Sequence, residues 1–146
     1  MQQKSEDMRK NQEELDKIWE LSPVWDLLTP DQKKYIEEHS EVKKFRKNEI
    51  IHQEDDAPDY VMVVADGTIR LTKEGVGQRV QIIRLLNRRD SFGYRSAVAG
   101  DRHSSCATAI EPTVVYRVER LAFLDVIKKN NEFCFGVLTA MAKDLA

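Results

Sequence analysis

The chain has 146 residues, 41% hydrophobic and 33% charged, the composition of one ordinary globular domain with a real core. A formal net charge of -2 excludes a protein that holds nucleic acid by bulk positive charge, because phosphate binding needs a clustered basic face. No run approaches the roughly 18 apolar residues of a membrane helix, and the opening MQQKSEDMRKNQEELDKIWE is polar, without the apolar core of a signal peptide.

These features read as a cytoplasmic protein. Its two cysteines, Cys106 and Cys134, form no CxxC pair and fall short of the roughly four soft ligands of a structural zinc or iron–sulfur site. They read as small buried residues.

Residues 1–22 form a helical leader on this reading, with Leu15, Ile18, Trp19 and Leu21 at helical spacing until Pro23 breaks it. Thr29-Pro30-Asp31-Gln32 then supplies an N-cap, a proline at the first helical position and the far half of a capping box. A helix is predicted from Pro30 to about His39, with Tyr35 and Ile36 facing inward.

From Glu41 to Arg117 the period becomes that of strands. Val42 and Phe45 begin it, followed by Ile50-Ile51 and Tyr60 to Val64. Asp66-Gly67 makes a turn into the alternating Thr68 to Thr72. Lys73 to Gln78 is a hairpin loop, and Val80 to Leu86, Cys106 to Ala109 and Val114 to Val118 are further strands. Short strands with turn signals about every 8–12 residues indicate a sandwich or roll.

From Glu119 the helical period returns. Leu121, Leu124, Val126 and Ile127 mark a short helix broken at Asn130-Asn131. A last helix starts near Glu132, with an apolar seam of Cys134, Val137, Leu138, Met141, Ala142 and Leu145. It runs to the chain end without a stop signal, as expected of a longer parent protein. The domain reading is a leader over 1–22, a roll over 23–130 and the start of a long helix over 131–146.

Three segments together resemble the cyclic-nucleotide-binding domains of Crp/Fnr-type transcription regulators. Phe45 to Asp56 is similar to the pattern F-x-x-G-E-x-I-x-x-x-G-D, with Asn48 and Asp55 in place of the glycines; both types tolerate left-handed turns. Tyr60 to Ile69 resembles the strand, glycine turn and strand that follow it. Arg89-Asp90-Ser91-Phe92-Gly93 is like the G-D-x-F-G that opens the phosphate-binding cassette. The resemblance covers about Val24 to Leu145. It implies a mainly β fold, a cupin-like jelly roll or double-stranded β-helix of eight strands, with N-terminal helices and a C-terminal dimerisation helix.

In nucleotide-binding members the cassette continues with a Glu for the ribose hydroxyl and, about nine residues on, an Arg for the cyclic phosphate. Here Tyr94 and His103 stand at those positions. A tyrosine brings no carboxylate and a neutral histidine no fixed bidentate charge. The resemblance therefore implies a sensor frame without the two side chains that hold cAMP. Gly93, Tyr94, Arg95, Ser96, Arg102, His103 and Ser104 are the candidate effector pocket, suited to a small anionic effector if to any.

The segment Gly93 to Asp101 looks closer to the Fnr-type branch. The iron–sulfur cluster of oxygen-sensing members would need cysteines before Cys106, and there are none. His39, His52 and His103 show no haem-ligand pattern, so no cofactor is expected.

The resemblance further implies a homodimer through Cys134, Val137, Leu138, Met141 and Leu145, and DNA contact by a helix-turn-helix outside this chain. The alternative is a stand-alone or partner-regulating ligand module. An enzyme on the related cupin roll would need clustered metal ligands, and the three histidines form no such motif.

Overall fold

The computed structural model describes residues 15–75, 77 and 79–144. Residues 1–14 of the expected leader and Leu145 of the expected seam lie outside the described residues.

Among the described residues, eight strands form two four-stranded antiparallel sheets. They are β1 (Ser40–Phe45), β2 (Ile50–His52), β3 (Tyr60–Asp66), β4 (Ile69–Glu74), β5 (Val80–Leu86), β6 (Ser91–Phe92), β7 (Cys106–Ala109) and β8 (Thr113–Glu119). One sheet has the order β1-β8-β3-β6 and the other β2-β7-β4-β5. The helices among the described residues are α1 (Ile18–Leu21), α2 (Pro30–Glu38), α3 (Tyr94–Ala99), α4 (Arg120–Lys129) and α5 (Asn131–Asp144), with a 3-10 turn at Trp25–Leu27. This is the β-roll with flanking helices that the motifs predicted.

The core has two halves, and strand periodicity divides them. Successive side chains of β3 alternate in direction. Met62 and Val64 enter the interior of the roll beside Phe45, Ile69, Leu86, Phe92 and Val115. Val61, Val63 and Ala65 face the helices, where Trp25, Ile36, Phe123 and Phe133 are fully buried. By area, each such large side chain contributes roughly 1.5–3 kcal/mol. Trp25 packs on Phe133 with ring centroids 5.1 Å apart and on Phe123 at 5.9 Å.

Local signals act where expected. Thr29 and Gln32 complete a reciprocal capping box on α2. Asn130 caps α5, its Oδ1 accepting from the Phe133 N–H at 3.0 Å. Asn48 and Asp55 have φ of 71° and 69°, left-handed in place of the family's glycines. Arg89, at the third substituted glycine, has φ 85°, a conformation that costs a side-chain-bearing residue about 1–2 kcal/mol. Gly67 closes the β3–β4 turn, where an added Cβ would lie 2.7 Å from the Pro112 carbonyl oxygen.

The leader departs from expectation. Helix covers only Ile18–Leu21 of its described part, and Leu15 to Lys17 are not helical. Tyr116 explains the difference: its hydroxyl donates to the Asp16 carbonyl at 2.6 Å, and Arg88 pairs with the Asp16 carboxylate. The segment is therefore fastened to the roll by contacts that a helix would not present. Ile18 and Leu21 join the main core, so this part of the leader packs as one body with the roll.

Candidate functional site

The signature loop starts where β6 ends. Phe92 is drawn into the roll, and Gly93 turns the chain at φ 92°, where an added Cβ would meet the Tyr60 carbonyl oxygen at 3.1 Å. That turn launches α3, whose first residue is Tyr94.

Tyr94 is buried among the helices. Its hydroxyl accepts from Trp25 Nε1 at 2.8 Å and its ring stacks on Phe123 at 5.6 Å. Burial pushes its hydroxyl pKa up to about 12. The residue at the family's ribose-binding position thus joins the loop to the helical core, a role that an aromatic ring with one hydroxyl suits and a carboxylate would not.

His103, at the family's phosphate-binding position, lies flat on His52 of β2, with ring centroids 3.7 Å apart and planes 10° from parallel. Both rings are buried. Burial, and then the neighbouring His103 ring, push the His52 pKa down to about 4, against the Asp56 carboxylate that raises it. Burial also lowers His103 against Asp56 and Asp59. His52 is therefore uncharged at neutral pH, and burial favours the neutral form of His103. His52 Nδ1 is buried with no hydrogen-bond partner among the described residues.

These residues border a cavity of about 390 Å³, within the range of small-molecule sites. Of the expected pocket residues, Gly93, Tyr94, Arg95, Ser96, His103 and Ser104 line it. Arg102 does not. Its guanidinium donates to the Asp55 carbonyl at 2.7 Å, because its backbone neighbour His103 is turned inward by two bonds to the Asp55–Asp56 backbone.

Sequence reading missed His52 on β2, Ile83 and Arg84 on β5, and Asp144 on α5, all of which line the cavity. The family motif marks none of them. Arg84 Nη1 and Asp144 Oδ1 meet at 2.8 Å, joining the edge strand to the end of the last helix.

The expected seam of α5 divides between two directions. Val137 is buried in the chain's own core and Met141 lines the cavity, while Leu138 is 57% exposed. Cys134 is half-buried. The reason is Gly136, where an added Cβ would lie 3.1 Å from Leu27 and 3.3 Å from Val24. The helix sits tightly on the Trp25 turn and gives its Val137 face to the same chain. The outward apolar face carries Leu138 and Phe135, the latter 70% exposed and absent from the expected seam.

Among the described residues, no group of three or more His, Cys, Asp or Glu side chains is placed to hold a metal ion. Nor is any helix of theirs long and apolar enough to cross a membrane.

The two sheets, the flanking helices and a glycine turn that opens a short helix against a cavity together make a β-roll of the cyclic-nucleotide-binding type. The chain belongs to the cyclic nucleotide-binding domain family, whose profile matches residues 42–130. It is similar to the sensor domain of the transcriptional regulator DNR from Pseudomonas aeruginosa, with TM-score 0.75 and 15% identity over 84% of this chain and 82% of that one. It also resembles the Thermus thermophilus Catabolite Activator Protein, with TM-score 0.74 and 21% identity over 84% of this chain and 58% of that one. FixK2 from Bradyrhizobium japonicum has TM-score 0.67 and 28% identity over 73% of this chain. The chain spans 52% of FixK2, so its similarity to that protein and to the Thermus protein covers little more than half of each. No curated protein sequence matches the chain.

Proposed function

We propose that this is the effector-sensing domain of a cytoplasmic, dimeric Crp/Fnr-type transcription regulator. It reports the state of its cavity through α5 to a DNA-binding domain outside this chain. The observation that carries this reading is that one cavity touches both ends of the relay. Ser96 and His103 line it from the signature loop, and Met141 and Asp144 line it from α5. An occupant would contact both elements, and a ligand shifts a conformational equilibrium only through such differential contacts.

Cyclic AMP is not the effector on this reading. Losing a buried phosphate partner costs about 2–5 kcal/mol, roughly thirty-fold to several thousand-fold in affinity. Tyr94 cannot compensate, since its hydroxyl already serves Trp25.

The relay needs a second copy of the chain against the outward face of α5. Sedimentation velocity at micromolar concentration is expected to show a dimer, and Leu138→Asp is expected to abolish it. A wild-type chain that remains monomeric throughout would overturn the dimeric relay and favour a stand-alone module.

A further inference from the structure

Arg84 stands on β5, away from the signature loop, and its partner is an internal carboxylate. The cavity wall is mixed: Leu71, Ile83, Phe92 and Met141 give it an apolar part, beside serines of the signature loop and the exposed Arg95. Burial favours the neutral form of both stacked histidines, and Arg102 is occupied by the Asp55 carbonyl. Asp144 therefore shows that a carboxylate can be seated on Arg84 at the cavity wall, 2.8 Å from Nη1.

We propose that Arg84 is the anion-holding residue of this cavity, and that its ligand is a small organic monoanion with an apolar body, whose acidic group exchanges with Asp144. The inference rests on reading the cavity as the effector site and names the class of molecule it takes.

Three physical points support it. First, the exchange conserves charge: one carboxylate leaves the guanidinium and one replaces it. A dianion would bring a second charge that Arg84 alone does not balance, leaving only the solvent-exposed Arg95 to meet it. Second, the side chains of Arg84 and Asp144 are 42% and 45% exposed. Pairs this exposed are held weakly, and Asp144 can return to water at little cost. Third, the Arg84–Asp144 pair is the ion pair found between β5 and α5 among the described residues. Its exchange releases the end of α5 from β5, so ligand affinity and helix docking are coupled reciprocally.

The test is calorimetric titration of the whole chain with benzoate, the uncharged analogue benzamide, and inorganic phosphate. Benzoate is expected to bind at least about tenfold more tightly than either of the others, the gain of one charge-assisted contact. Asp144→Asn removes the competing carboxylate and is expected to tighten benzoate about two- to five-fold, the scale of a half-exposed pair. Arg84→Gln is expected to weaken it at least about tenfold and to cancel the effect of Asp144→Asn in the double variant. Arg95→Gln, a cavity-side arginine without this partner, serves as the comparison and is expected to change affinity less.

Equal binding of benzoate and benzamide, tighter binding of phosphate, or indifference to Arg84→Gln overturns the proposal. So does no benzoate binding by either wild type or Asp144→Asn. Amide exchange on the same samples keeps the two readings apart. Faster exchange at the end of α5 in Asp144→Asn supports the relay even where the ligand class fails, and unchanged exchange counts against the relay itself.

Discussion

Strands β3 and β5 are equal in length and both mostly apolar, yet their surroundings are opposite. Each has seven residues, YVMVVAD and VQIIRLL. Val61, Val63 and Val64 of β3 are fully buried, whereas Val80, Ile82, Ile83 and Leu85 of β5 are 69%, 63%, 55% and 51% exposed. The strands' own residues do not account for this. β3 lies between β8 and β6, with the roll on one face and the helices on the other, while β5 is the last strand of its sheet. What covers β3 comes from chain segments on both sides of it, led by Trp25, Phe123 and Phe133. What reaches β5 from the helices is the Arg84–Asp144 pair. A strand's burial is decided by elements distant in sequence, and an exposed apolar edge of this kind marks a surface suited to a partner.

The largest effect is expected from placing one charge on each strand. Val63→Asp buries an unpaired carboxylate and is expected to cost more than about 4 kcal/mol, or to prevent folding. Ile82→Asp on β5 is expected to stay within about 0.5 kcal/mol. Urea denaturation of the two variants checks this, and comparable losses would break the contrast.

The next effect is acid destabilisation from the cavity side. The His52 pKa is about 4 when folded against an ordinary value of 6.5, so the unfolded chain takes up the proton first. Stability is fully present above the unfolded value and is lost as pH falls from about 6.5 to 4, by an amount on the order of 2–3 kcal/mol. His52→Gln is expected to flatten that part of the curve, read from melting temperature against pH. An unchanged slope would show that His52 titrates normally.

A smaller change of opposite sign is expected at the strained turn before β6. Arg89→Gly relieves a left-handed backbone at φ 85° and is expected to stabilise by about 1 kcal/mol. Asn48→Gly, at a residue that tolerates φ 71°, is expected to change stability by only a few tenths of a kcal/mol. Equal gains from both would remove the distinction.

The parts legible in the sequence were those written in short-range chemistry. The Thr29–Gln32 capping box, the strand alternation and the left-handed Asn48 and Asp55 each follow from a few neighbouring residues. β6 was not legible, because two residues carry no period. The half of the cavity contributed by His52, Arg84 and Asp144 was hidden for another reason. His52 meets His103, and Arg84 meets Asp144, across tens of residues of intervening chain. The spacing of the α5 seam identified a helix but not which side faced home, since Gly136 sets that by contact with Val24 and Leu27. Arg102 and His103 are neighbours in sequence, and only the backbone bonds to Asp55 and Asp56 show which of them turns inward.

The loop keeps its frame while Tyr94 is bonded to Trp25 and His103 is stacked on His52, so the chain's own side chains engage both of the family's nucleotide positions. Calorimetric titration of the chain with cAMP tests this most directly. A dissociation constant at least about thirty-fold above the micromolar range is predicted, and saturable binding with a micromolar Kd would contradict the account.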